Sequence, residues 1–423
     1  MAKKGSKKNT IFIQIASYRD PELLPTIEDA IEKAKYPDNL RFGICLQRSP
    51  YDAWDHLDPY LEDSRFKILD VDYRDATGVP TARYKINKLW DGEKYTLQLD
   101  SHHRFEKNWD ETCIEMMEQL KEDGFEKPLL SAYLPSYDPD NDPAARINEP
   151  WIMEFDRFAP EGPVHFLPHT IDEFREIDRP VRSRFISGHF IFTYGEFCKE
   201  VEYDPNYYFH GEEINLSVRA YMAGYDLFAP HKVVMWHEYT RDGKIKHWDD
   251  HGDWDGVDAR SYQHNREVLG MSGENTEKTL VKDVRSLQDY EIYAGLSFSD
   301  RRVHKNTVDN LRAPASLTLE EHEKGLTLYN RVVIDVYKGL FEYEDYTFWA
   351  VAIENKAGEE IYREDATPQE IHDVLYSIPY EQDAFVHIWR NYHHTEEAHT
   401  WVVWPHSEEH GWQERIEGSF NRE

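Results

Sequence analysis

Short, nearly apolar segments alternate with helical patterns along the first hundred residues, and this alternation limits the fold more than any other feature. The segments comprise residues 11–16, 42–46, 66–71 and 95–99, and each is too short for a buried helix. Strands that are apolar on both faces are typical of parallel sheets covered by helices on both sides. Because such strands are joined by right-handed crossovers, the alternation predicts an α/β domain with a mainly parallel, Rossmann-like sheet.

Helical periodicity occurs in two of the three stretches between these strands. Apolar residues recur at helical spacing from Leu23 to Ala34, and the Tyr36-Pro37 pair ends the pattern. A second helical pattern, which includes Ala82 and Trp90, precedes the fourth strand. The loops that follow the strands are therefore expected at the carboxyl edge of the sheet, where ligands of such sheets bind.

The fourth strand ends in Asp100-Ser101-His102, which places two candidate metal ligands one residue apart. Alternate residues of an extended chain point to the same side, so Asp100 and His102 can reach one ion. A carboxylate with an imidazole suits Mn²⁺ or Mg²⁺ when phosphate oxygens complete the coordination, and no nearby thiolate favours zinc. The alternative is that Asp100 caps the following turn while His102 and His103 are solvated.

A second polar constellation lies downstream. The run Phe209-His210-Gly211-Glu212-Glu213 opens a predicted helix, and His237 ends another predicted strand after Trp236. Carboxylates in the first turn of a helix are favoured by its dipole, so a purely structural role for Glu212 and Glu213 is the alternative to a functional one.

Taken in order, these motifs resemble those of GT-A glycosyltransferases, and in particular the GlcNAc-transferase group of glycosyltransferase family 60. The type member of that group is a cytoplasmic enzyme that adds a sugar to hydroxyproline on a ubiquitin-ligase adaptor, and the mucin-type polypeptide GalNAc-transferases are more distant relatives. The resemblance extends over about residues 11–298. The motifs that carry it are Ser17-Tyr18-Arg19-Asp20, residues 78–83, Asp100-Ser101-His102, residues 209–213 and Trp236-His237.

The resemblance implies a role for each matching residue. It implies that Asp100, His102 and His237 bind Mn²⁺ or Mg²⁺, and that Glu212 and Glu213 are the catalytic acidic pair near the donor sugar and acceptor. It further implies that a UDP-sugar donor is bound by Ser17, Arg19, Asp20, Arg83, Ser101, Gly188 and His189, of which the first three line the uridine and ribose pocket. Residues 248–254 are interpreted either as a mobile lid over the donor or as a solvated acidic loop.

The implied activity is metal-dependent, retaining transfer of a sugar, GlcNAc, from a UDP-sugar to a hydroxyl acceptor on a protein. A front-face reaction is favoured over a covalent intermediate on Glu212 or Glu213. Two alternatives stay open: transfer to a glycan or to a hydroxymethylated DNA base, and a catalytically silent sugar-binding protein that keeps the fold. The complete set Asp100, His102 and His237 argues against the silent protein, because a degenerate relative is expected to lose a ligand.

Charge and cysteine content restrict partners and compartment. With 49 basic and 81 acidic residues, the net charge is −32, which repels nucleic acids and anionic membranes unless a local basic groove overcomes the repulsion. Three cysteines are too few for a disulfide framework. The lysine-rich start lacks the apolar core of a signal peptide, and no apolar run reaches membrane-spanning length, so we expect a cytoplasmic enzyme without a membrane span.

The length of 423 residues favours two domains. We expect a disordered basic tail over residues 1–9, a GT-A catalytic domain over 10–300, a polar linker over 301–320 and an accessory domain over 321–423. Partial alternation in the last segment predicts an antiparallel, sandwich-like β domain with one short helix over residues 368–376. Its tryptophans, among them Trp349, Trp401, Trp404 and Trp412, are compatible with carbohydrate or peptide binding or with a core.

Overall fold

A computed structural model describes residues 9–54, 56–159, 162–241, 243–271, 284–309, 313, 317–376, 384–393, 396 and 398–420. Residues 1–8 of the predicted basic tail lie outside this set. The chain divides into two compact units. The first unit comprises Met1–Asp300 with Asn306–Lys324, and the second comprises Arg301–Lys305 with Gly325–Glu423.

The helices are α1 (Leu23–Lys33), α2 (Val79–Asn87), α3 (Trp109–Glu122), α4 (Phe197–Glu200), α5 (Glu212–Met222), α6 (His247–Asp250), α7 (Trp254–Val268), α8 (Leu287–Ala294), α9 (Lys305–Val308), α10 (Leu319–Gly325) and α11 (Pro368–Tyr376). The strands of the first unit are β1 (Ile11–Tyr18), β2 (Leu40–Arg48), β3 (Phe66–Asp72), β4 (Tyr95–Leu99), β5 (His103–Phe105), β6 (Pro128–Ser131), β7 (Trp151–Phe158), β8 (Val164–Thr170), β9 (Val181–Arg182), β10 (Phe190–Tyr194), β11 (Asp226–Ala229), β12 (Met235–His237) and β13 (Leu296–Ser297).

An eight-stranded sheet forms the centre of the first unit, in the order β3-β2-β1-β4-β10-β6-β11-β9. Strands β1 to β4 are mutually parallel, as are β6 and β11, whereas β10 runs antiparallel to both of its neighbours and β9 runs antiparallel to β11. The expected α/β class with a mainly parallel sheet is therefore confirmed. The sequence pattern located β4 to the residue, and it placed β1, β2 and β3 one to four residues short in total length.

The alternating side chains of β1 show why helices cover both faces of this sheet. Ile11, Ile13 and Ile15 pack in one core cluster with apolar residues of α1 and α3. Phe12 and Ala16 point to the opposite face and pack with apolar residues of α2. Because both faces are buried, a polar residue within β1 would lack solvent on either side, which accounts for its nearly continuous apolar sequence.

A second, two-stranded sheet lies at the carboxyl end of β4. Strand β5 starts right after Asp100-Ser101-His102, and β12 pairs with it antiparallel so that His237 lies opposite His103. Helix α1 fixes the loop between β4 and β5, because the buried Thr26 hydroxyl donates to Ser101 O at 2.9 Å and accepts from His103 N at 2.9 Å. Backbone pairing thus brings residues 102 and 237 together.

The second unit is built from antiparallel strands, as expected. Its strands are β14 (Arg302–His304), β15 (Leu326–Thr327), β16 (Tyr329–Tyr337), β17 (Tyr346–Glu354), β18 (Glu360–Arg363), β19 (Phe385–His393), β20 (Thr400–Ser407), β21 (Gly411–Trp412) and β22 (Ile416–Ser419). Strand β16 pairs with β19, and β17 pairs with β18 and β20. Both sheets and α11 contribute to one core. Trp349 and Trp401 are buried in this core, whereas Trp404 and Trp412 are exposed.

The three cysteines, Cys45, Cys113 and Cys198, are buried free thiols. Among the described residues, no helix combines the length and the apolar character needed to cross a bilayer.

Gly195, which follows β10, packs tightly against the residues that precede β4. A Cβ on Gly195 would lie 2.2 Å from the backbone oxygen of Glu93, and backbone cannot yield as a flexible side chain does. We expect Gly195→Ala to lower the free energy of unfolding of the first unit by about 1–3 kcal/mol, measured by urea denaturation. Gly252→Ala is the matched control, because a Cβ at Gly252 meets nothing within 4 Å. Equal stability of the two variants would contradict this packing.

Candidate active site

Three predicted metal ligands converge at the carboxyl end of β4. His102 Nε2 lies 3.8 Å from Asp100 Oδ2, and His237 Nε2 lies 3.5 Å from the same oxygen. One ligand atom from each residue falls within 4.8 Å of the others. Both ring nitrogens of His237 are buried and have no hydrogen-bond partner among the described residues. One carboxylate and two imidazoles are a donor set that suits a divalent cation, so the residues present fit Mn²⁺ or Mg²⁺.

The electrostatics keep His237 and Asp100 in the states that a metal requires. Burial lowers the pKa of His237 to about 4, although Asp100 opposes the shift, so the imidazole is neutral near pH 7. Burial raises the pKa of Asp100, but His237, Arg83 and His102 outweigh this effect and hold it well below its usual range. A neutral imidazole and an ionised carboxylate are the metal-binding forms of these side chains.

A buried arginine links Asp100, a candidate metal ligand, to the predicted acidic pair. Arg83 Nη2 donates to Asp100 Oδ1 at 2.5 Å, and Nη1 donates to Glu212 Oε1 at 2.8 Å and to the Tyr203 hydroxyl at 3.2 Å. The Arg83 side chain is only 3% exposed. The guanidinium therefore balances two carboxylates that approach from β4 and from the start of α5.

Glu212 and Glu213 have different surroundings although they are adjacent. Glu213 Oε1 accepts from the Gly188 N–H at 2.8 Å, and Glu213 Oε2 accepts from the Tyr133 hydroxyl at 2.7 Å. Glu212 Oε2 is buried and has no hydrogen-bond partner in the described part of the chain. Gly211, the residue before α5, has a φ of +91°, in the left-handed region that favours glycine, and both glutamates follow in the first turn of the helix.

Burial raises the pKa of both glutamates. The pKa of Glu212 is raised to about 7, because desolvation together with Glu213 and Asp100 outweighs the attraction of Arg83. Desolvation raises the pKa of Glu213 to about 6, against the hydrogen bonds from Gly188 and Tyr133.

The predicted sugar-pocket loop also lies at this site. Gly188 leaves room for its neighbours, because a Cβ there would lie 2.5 Å from Glu212 Oε1 and 3.0 Å from Arg83 Nη1. The His189 ring stacks on His237 with centroids 4.0 Å apart, and His189 Nε2 accepts from the Leu134 N–H at 3.1 Å.

These residues line a cavity of about 930 Å³. Of the predicted site residues, the lining includes Arg83, Asp100, Ser101, His102, Gly188, His189, Glu212, Glu213 and His237, whereas it does not include Ser17, Arg19 or Asp20. Arg19 instead pairs with Asp52 and Asp250 at 2.7 and 2.9 Å. Ala16 and Tyr18, which point to the same side of β1, do line the cavity, so the end of β1 lies beside it.

Two cationic side chains that follow His237 were not predicted from the sequence. Arg241 and Lys246 line the cavity, close to His237 in the chain. A signal was present, because Arg241, Lys244 and Lys246 form a local basic cluster in a chain of net charge −32.

Residues 248–254, for which the sequence allows a lid over the donor or a solvated loop, begin within α6. The Tyr18 hydroxyl and the Arg19 guanidinium both donate to Asp250, at 2.7 and 2.9 Å. The Tyr208 hydroxyl and His247 Nδ1 share a hydrogen bond of 2.7 Å. His247 and Trp248 contribute to the cavity lining, so this segment contacts the first strand and borders the cavity.

Comparison with known families gives one extensive match. Residues 10–56 and 54–295 match the model of the family described as "Glycosyltransferase (GlcNAc)", which is more than half of the chain. Comparison with curated protein sequences gives no match.

Solved structures give weaker likenesses. GalNAc-T7 with UDP, GalNAc and Mn²⁺ is 15% identical with a TM-score of 0.44, over 67% of this chain and 53% of GalNAc-T7. S. aureus TarS 1–349 in complex with UDP-GlcNAc is 11% identical with a TM-score of 0.38, over 62% of this chain and 70% of TarS. The mannosyltransferase PcManGT from Pyrobaculum calidifontis with GDP-Man and Mn²⁺ is 11% identical with a TM-score of 0.35, over 63% of this chain and 76% of PcManGT. The chain thus spans about half the length of GalNAc-T7.

The raised pKa of Glu212 predicts a pH dependence of stability. The folded protein keeps this proton up to about pH 7, while the unfolded chain releases it near 4.5. The resulting stabilisation is complete below about pH 4.5 and is lost as the pH rises to about 7. Relative to Glu212→Gln, we expect the parent to lose on the order of 3 kcal/mol of unfolding free energy across this range.

Urea denaturation of both proteins in metal-free buffer at several pH values measures the difference. Glu213→Gln should show the same trend, complete near pH 6 because that carboxyl group has the lower pKa. A constant difference between parent and Glu212→Gln across the pH range would contradict the assigned shift.

Proposed function

The chain belongs to the GlcNAc glycosyltransferase family, in agreement with the GT-A resemblance of its motifs, and on this premise we propose that it transfers GlcNAc from UDP-GlcNAc to a hydroxyl group of a protein. We propose further that the transfer depends on Mn²⁺ or Mg²⁺ and retains the anomeric configuration. The retention rests on the resemblance to the family 60 group, and the choice of GlcNAc rests on that resemblance and on the matching family model.

The cluster of Asp100, His102 and His237 is the observation that carries this proposal. Its ligand atoms lie within 4.8 Å of one another at the wall of a large cavity. The buried Nε2 of His237 lies 3.5 Å from Asp100 Oδ2, too far for a good hydrogen bond, and burying a polar atom in this way costs free energy unless a ligand uses it. A divalent cation at this point uses that nitrogen and balances the Asp100 carboxylate.

The cationic side chains of the cavity support a diphosphate-bearing donor. Arg241 and Lys246 border the cavity on the segment that follows His237, and the Arg241 Nε lacks a hydrogen-bond partner within the described residues. Guanidinium and ammonium groups are the usual protein partners of phosphate oxygens. Their placement beside a metal site in an acidic chain fits the diphosphate of a nucleotide sugar.

The proposed reaction breaks the bond between the anomeric carbon and the β-phosphate oxygen and forms a bond from the acceptor oxygen to the same face of that carbon. The acceptor proton passes to the departing phosphate oxygen. When bound, the cation supplies stabilisation of the negative charge that develops on the diphosphate. Arg241 and Lys246 hold the same diphosphate.

The two glutamates are given different roles in this proposal. Glu213 shapes the sugar pocket, because both of its oxygens are held by Gly188 and Tyr133. Glu212 meets the substrate, because Oε2 has no partner among the described residues while Arg83 holds Oε1. A buried carboxyl oxygen of this kind pairs with a hydroxyl group of the donor sugar or the acceptor, which can accept from the protonated form and donate to the ionised one.

A protein acceptor fits the surroundings of the cavity better than DNA does. The net charge of −32 repels a polyanion, and the aromatic side chains of Phe209, Tyr239 and Trp248, which are 36–44% exposed, border the cavity. Aromatic rings pack against apolar peptide or sugar surfaces. Transfer to a glycan is the second candidate, because the same rings stack on sugars.

Mn²⁺-dependent release of UDP from UDP-sugars tests the metal site. We expect the parent to release UDP with Mn²⁺ and not with EDTA, and to prefer UDP-GlcNAc over UDP-GalNAc and UDP-glucose. Asp100→Asn and His237→Gln should each lower the rate by about 100-fold or more, because each removes a ligand of the cation. Asp70→Asn is the matched control, since Asp70 is an exposed carboxylate on β3 that pairs with Arg48 of β2.

Release that is insensitive to EDTA and to both substitutions would refute the metal-dependent mechanism. Mn²⁺-dependent binding of UDP without turnover of any UDP-sugar would instead favour the silent binding protein. Mass spectrometry of peptides carrying serine, threonine or hydroxyproline, compared with oligosaccharides and hydroxymethylated DNA, identifies the acceptor.

The isosteric variants Glu212→Gln and Glu213→Gln separate the two glutamates. A glutamine at position 213 can still accept from the Gly188 N–H, so we expect less than a tenfold loss in kcat. A glutamine at position 212 removes the carboxylate that pairs with Arg83 and meets the substrate, so we expect about a 100-fold loss. Steady-state kinetics measure both values, and the opposite ranking would contradict the assigned roles.

A further inference from the structure

Asp20 was expected to line the uridine and ribose pocket, but its side chain contacts other residues of the protein instead. Its side chain has no exposed surface, and it is absent from the cavity lining. Oδ1 accepts from the Glu22 N–H at 3.0 Å. Oδ2 accepts from the Ser101 hydroxyl at 2.6 Å and lies 2.7 Å from His102 Nδ1. Both oxygens are thus occupied by groups of the protein.

The contact with His102 determines which of its nitrogens can bind a cation. An ionised carboxylate only accepts hydrogen bonds, so Nδ1 of His102 must carry the proton that points at Asp20. In a neutral imidazole the lone pair then lies on Nε2. Nε2 is the nitrogen turned toward Asp100, 3.8 Å from its Oδ2.

The same carboxylate also contacts the cationic side of the cavity. Arg241 Nη2 lies 3.3 Å from Asp20 Oδ2, and Arg241 borders the cavity. One buried oxygen therefore faces a residue next to Asp100, a candidate metal ligand and a candidate diphosphate-binding cation. The loop after β1 is in this way tied to the loop after β4.

We propose that Asp20 is a positioning residue for the cation: its carboxylate fixes the tautomer and the ring orientation of His102 so that Nε2 faces the metal, and it does not contact the nucleotide. The inference rests on the proposed metal-dependent function and adds to it a residue outside the ligand set. Carboxylates that hold a metal-binding imidazole in this manner strengthen metal affinity without touching the metal.

Binding of Mn²⁺ alone, with no nucleotide present, measures this role separately from catalysis. Electron paramagnetic resonance of free Mn²⁺ gives the dissociation constant of the full chain. We expect Asp20→Asn to weaken Mn²⁺ binding by about 10- to 100-fold. Asp110→Asn is the matched control: Asp110 is an equally buried carboxylate that accepts backbone N–H bonds from Lys35 and Tyr36, away from the cavity.

A second measurement uses the unaltered protein and so does not depend on how a variant folds. Nitrogen-15 NMR of histidine-labelled, metal-free protein reports which ring nitrogen of His102 carries the proton, with assignment by loss of the signal in His102→Gln. We expect the proton on Nδ1. A proton on Nε2 would overturn the proposal.

The outcomes distinguish this inference from the function on which it rests. If the parent binds Mn²⁺ and Asp20→Asn binds it equally well, the positioning role is refuted while the metal-dependent function stands. If Asp20→Asn also weakens metal-free binding of uridine, which lacks the diphosphate that Arg241 would hold, Asp20 contacts the nucleotide after all and the proposal is overturned. If the parent itself does not bind Mn²⁺, the metal-dependent function fails and the positioning role fails with it.

Discussion

The site depends on the hydrogen bonds that the buried guanidinium of Arg83 donates to Asp100 and Glu212. Asp100, Glu212 and Glu213 are brought close together in a chain that already carries a large excess of negative charge. Arg83 contacts two of these three carboxylates with charge-assisted hydrogen bonds, and it is almost fully buried itself. Removing one partner from such an arrangement leaves an uncompensated buried charge, which is costly. The arginine therefore links α2, β4 and α5 into one electrostatic group.

Backbone pairing supplies the rest of the site geometry. The antiparallel pairing of β5 and β12 places His237 beside the Asp-Ser-His loop. The Thr26 hydroxyl of α1 fixes that loop through hydrogen bonds to its backbone. The side chains that meet the proposed cation thus come from segments more than 130 residues apart in the sequence. Their mutual distances are set by a strand register that cannot slip without turning side chains to the wrong face.

Individual residues show where motif reasoning succeeded and where it stopped. The alternation of strands and helices located β4 to the residue, and the Asp-x-His spacing identified a pair that does converge with His237. The end of β1 lies beside the cavity through Tyr18, but Arg19 and Asp20 do not line it. Motif order cannot distinguish a side chain that faces a ligand from one that faces its neighbours, because both occupy the same loop. Arg241 and Lys246 were missed although the local basic cluster was visible.

The sequence by itself determined the α/β class, the strands of the parallel half of the sheet and the residue types that could bind a cation, because periodicity and ligand chemistry are local properties. Only the tertiary structure decided that Glu213 is held by Gly188 and Tyr133 while one oxygen of Glu212 is left without a partner. It also decided that Asp20 faces His102 rather than the cavity. These assignments depend on distances between side chains that are remote in the chain, and such distances follow from strand pairing and helix packing rather than from spacing along the sequence.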